Sequence, residues 1–168
     1  MSYYSTSQVI DLARVLHQGH KLKNGKNYFG HLVRVAEIAV EIFDKVMGEA
    51  GRLPGNFFTL REMVIQTAYL HDSVEDRTSL NQLYTMAVDP AVVGAVWLLS
   101  KKPDQPYEDY LREIKKSLIA RVVKMADLCH NSRLTRIPTE ETVEKIEQRH
   151  QKYLRSFLYL RNPEQENY

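Results

Sequence analysis

Apolar residues along this chain recur at helical rather than strand spacing. Val9, Leu12, Ala13, Val15 and Leu16 supply repeated pairs three and four positions apart, the pattern of a helix with one buried face. They follow Ser5 and Gln8, a Ser-x-x-Gln capping box, so a first helix is expected over about residues 6–20. From His31 to Met47 the pattern is denser, with Leu32, Val33, Val35, Ala36, Ala39, Val40, Phe43 and Val46. This predicts a second, largely buried helix. Between the two, KLKNGKN at 21–27 is polar with a central Gly and predicts an exposed, positively charged loop.

Thr59 and Glu62 make a second capping-box pattern ahead of Met63, Val64, Thr67, Ala68 and Leu70. The helix they predict runs into His71 and Asp72, and SVEDRTS then ends or bends it. Ser79 can cap a short helix through Leu83 and Met86, and Asp89-Pro90 is an N-cap followed by Pro at the first helical position. After the charged loop KKPDQP, Tyr107–Arg133 is helical by pattern with a break near Ser117, and Pro138 and Thr139 open a last helix to about Arg161. No segment sustains a period-two alternation. The expected fold class is all-α, a compact bundle of about seven to nine helices.

Composition supports this reading. Gly and Pro together are 13 of 168 residues, about 8%, against an average usage of roughly 12%. With 43% apolar and 26% charged residues, one globular domain over residues 1–168 is expected. The longest apolar run, Ala91–Leu99, is nine residues, about half of the ~20 that span a bilayer, so no membrane partner is expected. Net charge is +2 with both signs interspersed, which argues against nucleic acid as a partner. MSYYSTSQ has neither a basic leader nor an apolar segment, and Cys129 is the sole cysteine. A cytoplasmic protein without an internal disulfide is expected.

The densest set of ionisable groups is HDSVED, with His71, Asp72, Glu75 and Asp76. If the helix continues through it, His71/Glu75 and Asp72/Asp76 share a face at i, i+4. A His beside an Asp is a mixed nitrogen and oxygen donor set, suited to Mn, Fe or Zn more than Ca. A solvated, capped helix end is the competing reading of this run. Asp127 interrupts the apolar helix Leu118, Ile119, Val122, Val123, Met125, and a carboxylate there needs a partner, either a metal or an Arg. His31 opens a buried helix after a Gly and reads alone as a capping or packed residue. His17, His20 and His150 read as surface or capping histidines, and Trp97 and Cys129 as packing residues.

The order His31, His71-Asp72, Asp127 in an all-α chain resembles the H…HD…D signature of the HD superfamily of metal-dependent phosphohydrolases. YFGHLVRVAEI (28–38), TAYLHDSVEDRTSLNQL (67–83) and VVKMADLCHNSRL (122–134) are similar to the matching stretches of the hydrolase domain of the RelA/SpoT alarmone enzymes and their stand-alone small relatives. The first helix and its loop, LHQGHKLKNGKNY, are similar too. The resemblance implies an HD-domain bundle that holds one divalent metal, usually Mn, on His31, His71, Asp72 and Asp127. It implies that Glu75 and Asp76 position and activate the attacking water. It also implies that Lys23, Lys26 and Asn131 bind a nucleotide substrate, with solvated charges the competing reading of the two lysines. The activity implied is removal of pyrophosphate from the 3′ position of ppGpp.

The chain departs from these enzymes at Leu22, where they carry an Arg that stacks on guanine, at Leu32, where they have Pro, and at Leu134, where they have Thr. A nucleotide phosphomonoesterase acting on a nucleoside monophosphate or a phosphorylated dinucleotide therefore stands as an alternative. A non-catalytic nucleotide-sensing module is a third reading. Homo-oligomerisation is left open.

Overall fold

The computed structural model describes residues 3–22, 25–50, 55–134, 141–162, 164 and 168. Among them are nine helices: α1 Thr6–Leu16, α2 Phe29–Glu49, α3 Phe57–Leu70, α4 Ser73–Asp76, α5 Leu80–Thr85, α6 Pro90–Leu99, α7 Tyr107–Lys115, α8 Leu118–Leu134 and α9 Val143–Arg161. The only extended pairing among the described residues is one antiparallel bridge, Lys21 to Asn27. The expected all-α class holds, and no described helix is long and apolar enough to cross a membrane.

Helix boundaries follow the local chemistry. Ser5 and Gln8 cap each other reciprocally at the start of α1, and Ser79 and Gln82 do so at α5. Asp89 accepts from the Ala91 N–H at 2.8 Å, with Pro90 at the first position of α6. The break near Ser117 is present, and the Ser117 hydroxyl accepts from the Ala120 N–H as α8 begins. Each such cap satisfies a backbone donor that the helix leaves open.

Three boundaries differ from expectation. The first helix stops at Leu16 rather than near 20, because the chain reverses through Gly19, whose φ of +75° suits glycine. The Thr59/Glu62 pattern lies inside α3, which starts earlier at Phe57. That start brings the Phe57 ring to 5.4 Å from Phe43, so packing sets the end and Thr59 caps nothing. The last helix begins at Val143, with Thr142 accepting from the Lys145 N–H. Pro138 and Thr139 lie outside the described residues.

The core is in two parts. The larger joins α2, α3, α6, α7, α8 and α9 through residues such as Val35, Phe43, Val64, Leu111, Ile114, Val122 and Leu160. The smaller gathers Val9 and Ala13 of α1 with Leu32, Leu70, Leu83 and Val92. Helix α2 lies against both α3 and α8, so side chains from these three helices can meet at its N-terminal end. Phe43 is wholly buried at the centre of the larger part. Phe43→Ala should lower the unfolding free energy by about 3–5 kcal/mol, measured by denaturant titration, and a loss below about 1 kcal/mol would contradict this packing.

Candidate metal centre

Each chemistry-bearing side chain is placed by a helix end or a helix face. His31 is in the first turn of α2, His71 is the residue that ends α3, Asp72 precedes α4, and Asp127 lies within α8. The chain turns at His71–Asp72 between α3 and α4. A single helix through HDSVED is therefore replaced by a helix end and one further turn. The Ser73 hydroxyl donates to the Leu70 carbonyl at 2.6 Å, satisfying an acceptor that the end of α3 exposes.

Four side-chain atoms converge. His71 Nε2 is 3.0 Å from Asp72 Oδ2 and 3.8 Å from Asp127 Oδ1. His31 Nε2 is 3.7 Å and 3.6 Å from the same two oxygens. The donor atoms of His31, His71 and Asp72 all lie within 4.8 Å of one another. Both imidazoles and Asp127 are buried, and Asp72 is 26% exposed, which leaves the cluster one open side.

Hydrogen bonds behind the cluster fix how these groups point. His71 Nδ1 is 2.8 Å from the Ala68 carbonyl. A carbonyl only accepts, so Nδ1 carries a proton. Nε2, buried and without a hydrogen bond of its own, is thereby aimed at the two carboxylates. The close approach to Asp72 is thus an ionic contact that is poorly aligned for a hydrogen bond. His31 Nδ1 is 2.7 Å from His130 Nδ1. On Asp127, Lys124 Nζ donates to Oδ2 at 2.9 Å and Asn131 Nδ2 to Oδ1 at 2.6 Å. The Tyr28 hydroxyl donates to Asp72 Oδ2.

The electrostatics follow from this crowding. Burial works against ionising Asp72. The His71 charge, the His31 imidazole nearby and the Tyr28 hydroxyl outweigh it and hold the carboxyl well below its usual range. Burial likewise opposes charge on Asp127, but Lys124 and then His71 bring its pKa down. Lys124 is partly buried, which opposes its charge, but Asp127 raises it well above the ordinary lysine value. Burial disfavours charge on His71, yet Asp72 and Asp127 raise it to about 9. Burial, then His31, Arg34 and Arg133, push His130 down to about 4 despite Asp127. His130 is therefore neutral and can accept the His31 Nδ1 proton.

This set fits a divalent cation. Two imidazole nitrogens and two carboxylate oxygens face one point, one nitrogen is buried without a hydrogen bond, and each ligand is oriented by a neighbour. The mixed nitrogen and oxygen donors favour Mn, Fe or Zn. Of the residues singled out in the sequence, the structure brings together His31, His71, Asp72 and Asp127. Asn131 is there also, in contact with Asp127. Helix α4 carries Glu75 and Asp76 one turn beyond the ligands, but their side chains lie outside the described residues, as does Lys23. Lys26 is exposed on the loop closed by the Lys21–Asn27 bridge.

Sequence reasoning missed several supports. His17 is not at the surface: it is buried at the end of α1, and with His20 it packs on Tyr28. His150 is partly buried with Nδ1 3.0 Å from the Ser132 hydroxyl. Trp97 is 43% exposed, with the Lys102 ammonium 4.7 Å from its ring. Lys124 was discoverable, because it precedes Asp127 by three positions on one helix.

No family model matches the chain, and no curated protein matches it. Among solved structures it is similar in fold to a metazoan ortholog of SpoT that hydrolyzes ppGpp and plays a role in starvation responses. The two are 21% identical with a TM-score of 0.67, over 99% of this chain and 90% of that one. The likeness is one of fold and extends over nearly the whole chain.

The raised pKa of His71 gives a signed prediction. A protonated imidazole cannot ligate, so binding must release its proton. Apparent Mn affinity should rise up to about tenfold per pH unit from pH 6.5 and level off near 9. Calorimetry in buffers of different ionisation enthalpy should show a proton released at neutral pH. A pH-independent affinity would show that His71 does not bind the metal.

Proposed function

We propose that this protein is a metal-dependent phosphohydrolase that converts ppGpp and water to GDP and pyrophosphate. The observation carrying this reading is the convergence of His31, His71, Asp72 and Asp127 from α2, the α3–α4 turn and α8. The likeness in fold to a ppGpp-hydrolysing protein supports the choice of substrate.

In this reading those four residues hold one divalent metal, taken to be Mn. When bound, such an ion lowers the pKa of water and polarises a phosphoryl oxygen. Glu75 and Asp76, one turn past the ligands on α4, take the proton from the attacking water. The oxygen of that water joins the 3′ phosphorus, the bond from that phosphorus to the ribose 3′ oxygen breaks, and the ribose oxygen leaves with a proton. Lys124 keeps Asp127 ionised and Asn131 fixes its Oδ1. Asn131 is also the residue nearest in role to a nucleotide contact, and Lys23 and Lys26 supply charge for the phosphates. The enzyme is cytoplasmic and acts on a small nucleotide, with neither nucleic acid nor a membrane as partner.

One observation favours a second substrate. Leu22 offers no guanidinium plane for guanine, and Tyr28, the nearby aromatic, has His20 stacked at 4.0 Å and its hydroxyl on Asp72. A nucleoside monophosphate or phosphorylated dinucleotide needs no guanine platform, and the same metal chemistry would serve.

Incubation of Mn-loaded protein with ppGpp, resolved by chromatography, should yield GDP and pyrophosphate. Glu75→Ala should lower turnover by roughly 10²–10⁴-fold with Mn content unchanged. Absence of product above a metal-free control would refute ppGpp hydrolysis. A phosphate-release screen that prefers another nucleotide would move the assignment to the phosphomonoesterase.

A further inference from the structure

Tyr28 is tied at once to the loop, to α2 and to the candidate metal centre. It caps the start of α2, and its carbonyl accepts from the His31 N–H at 2.8 Å. Its hydroxyl reaches across the fold to Asp72 Oδ2, the oxygen that faces both His31 and His71. Its N–H donates to the His20 carbonyl at 3.0 Å. Residues 20 and 28 thus close the base of the loop that carries Lys26.

The ring of Tyr28 is seated on a histidine pair. His17 and His20 have Nδ1 atoms 3.4 Å apart, centroids 5.7 Å apart and planes within 13°, so they lie edge to edge in nearly one plane. Tyr28 is close to parallel to both, at 9° and 4.0 Å from His20 and at 18° and 5.1 Å from His17. His17 is almost wholly buried. The pair therefore forms a fixed floor beneath the phenol, which limits where its hydroxyl can point.

We propose that Tyr28 is a positioning residue for the metal centre: seated on the His17–His20 pair, its hydroxyl holds the Asp72 oxygen in place and couples the basic loop to metal binding. The proposal rests on the metal-dependent hydrolase reading and deepens it. A phenol donating to a ligating carboxylate restricts that oxygen to one direction, as orienting partners of metal ligands do. Because the loop closes on the backbone of the same tyrosine, an anion that draws on Lys26 acts on a segment whose base is held by the residue that orients Asp72. The partly exposed Asp72 is the ligand most in need of such a restraint. His71, His31 and Asp127 already have Ala68, His130 and the Lys124/Asn131 pair.

Tyr28→Phe removes the hydroxyl and keeps the stacked ring, which separates positioning from packing. Direct Mn titration by calorimetry should show about 10- to 100-fold weaker binding than wild type, with the metal-free protein as helical as wild type by far-UV circular dichroism. In turnover assays the Mn concentration for half-maximal rate should rise by the same factor, with kcat recovered at saturating Mn. His20→Ala should weaken Mn binding less and raise KM for ppGpp, since it loosens the floor and the loop base together. Equal Mn affinity in wild type and Tyr28→Phe would overturn the proposal. If wild type binds Mn yet hydrolyses no nucleotide, the functional reading fails while the Mn titration still decides the role of Tyr28. A wild type that binds no Mn overturns both.

Discussion

Two carboxylates and two imidazoles facing one point inside a helical bundle are the constraint on which the surrounding structure depends. Buried charges are costly unless paired, and every neighbour of this cluster addresses that cost. Lys124, partly buried beside Asp127, has its charge stabilised by that carboxylate. His130 gives up its own charge to serve as an acceptor for His31. The Ala68 carbonyl, an acceptor near the end of α3, selects the tautomer of His71. Removing the cluster would leave these neighbours without a reason to be polar, since the surrounding faces of α2, α3 and α8 are otherwise apolar.

The helix ends serve the same constraint. A ligand inside a long helix can face only one side, whereas a ligand at a terminus can turn into a cleft. His31 and Tyr28 exploit the start of α2, His71 the end of α3 and Asp72 the entry to α4. Asp127 alone is mid-helix, and it alone needs an ion pair from its own helix, with Lys124 three residues earlier. The low Gly and Pro content fits this arrangement, because the helices that carry the candidate ligands run without internal breaks.

Much of this was legible in the sequence. The helical period located most elements, and caps such as Ser5 with Gln8, Ser79 and Asp89-Pro90 fixed their starts where no tertiary contact competed. Thr59 misled because Phe57 had a partner in Phe43, a long-range fact that no local pattern carries. The candidate donors His31, His71, Asp72 and Asp127 were legible as residue types at fixed separations, and the structure brings them together. Their supports were not, because His17, His20, Tyr28 and Asp72 come together only through folding, and a histidine at the end of an amphipathic helix has the same local signature buried or exposed. The pairing of Asn131 with Asp127, at i, i+4 on one helix, was also open to the sequence, because α8 itself provides it.

The charge balance of the cluster bears on what can approach it. Asp72 and Asp127 are held ionised, and His71 and Lys124 are pushed up toward their protonated forms, so each carboxylate has a cation beside it. That pairing lets the charges persist in a low-dielectric interior with no ion present. Exchange of the His71 proton for a divalent cation would make the same groups more positive. The added charge would lie toward the partly exposed Asp72 side, where a polyanion could reach it and where burial on the other sides weakens screening by water. Lys124 therefore does more than keep Asp127 ionised: its charge would offset part of the negative charge of the two carboxylates and so add to the attraction for a phosphate chain.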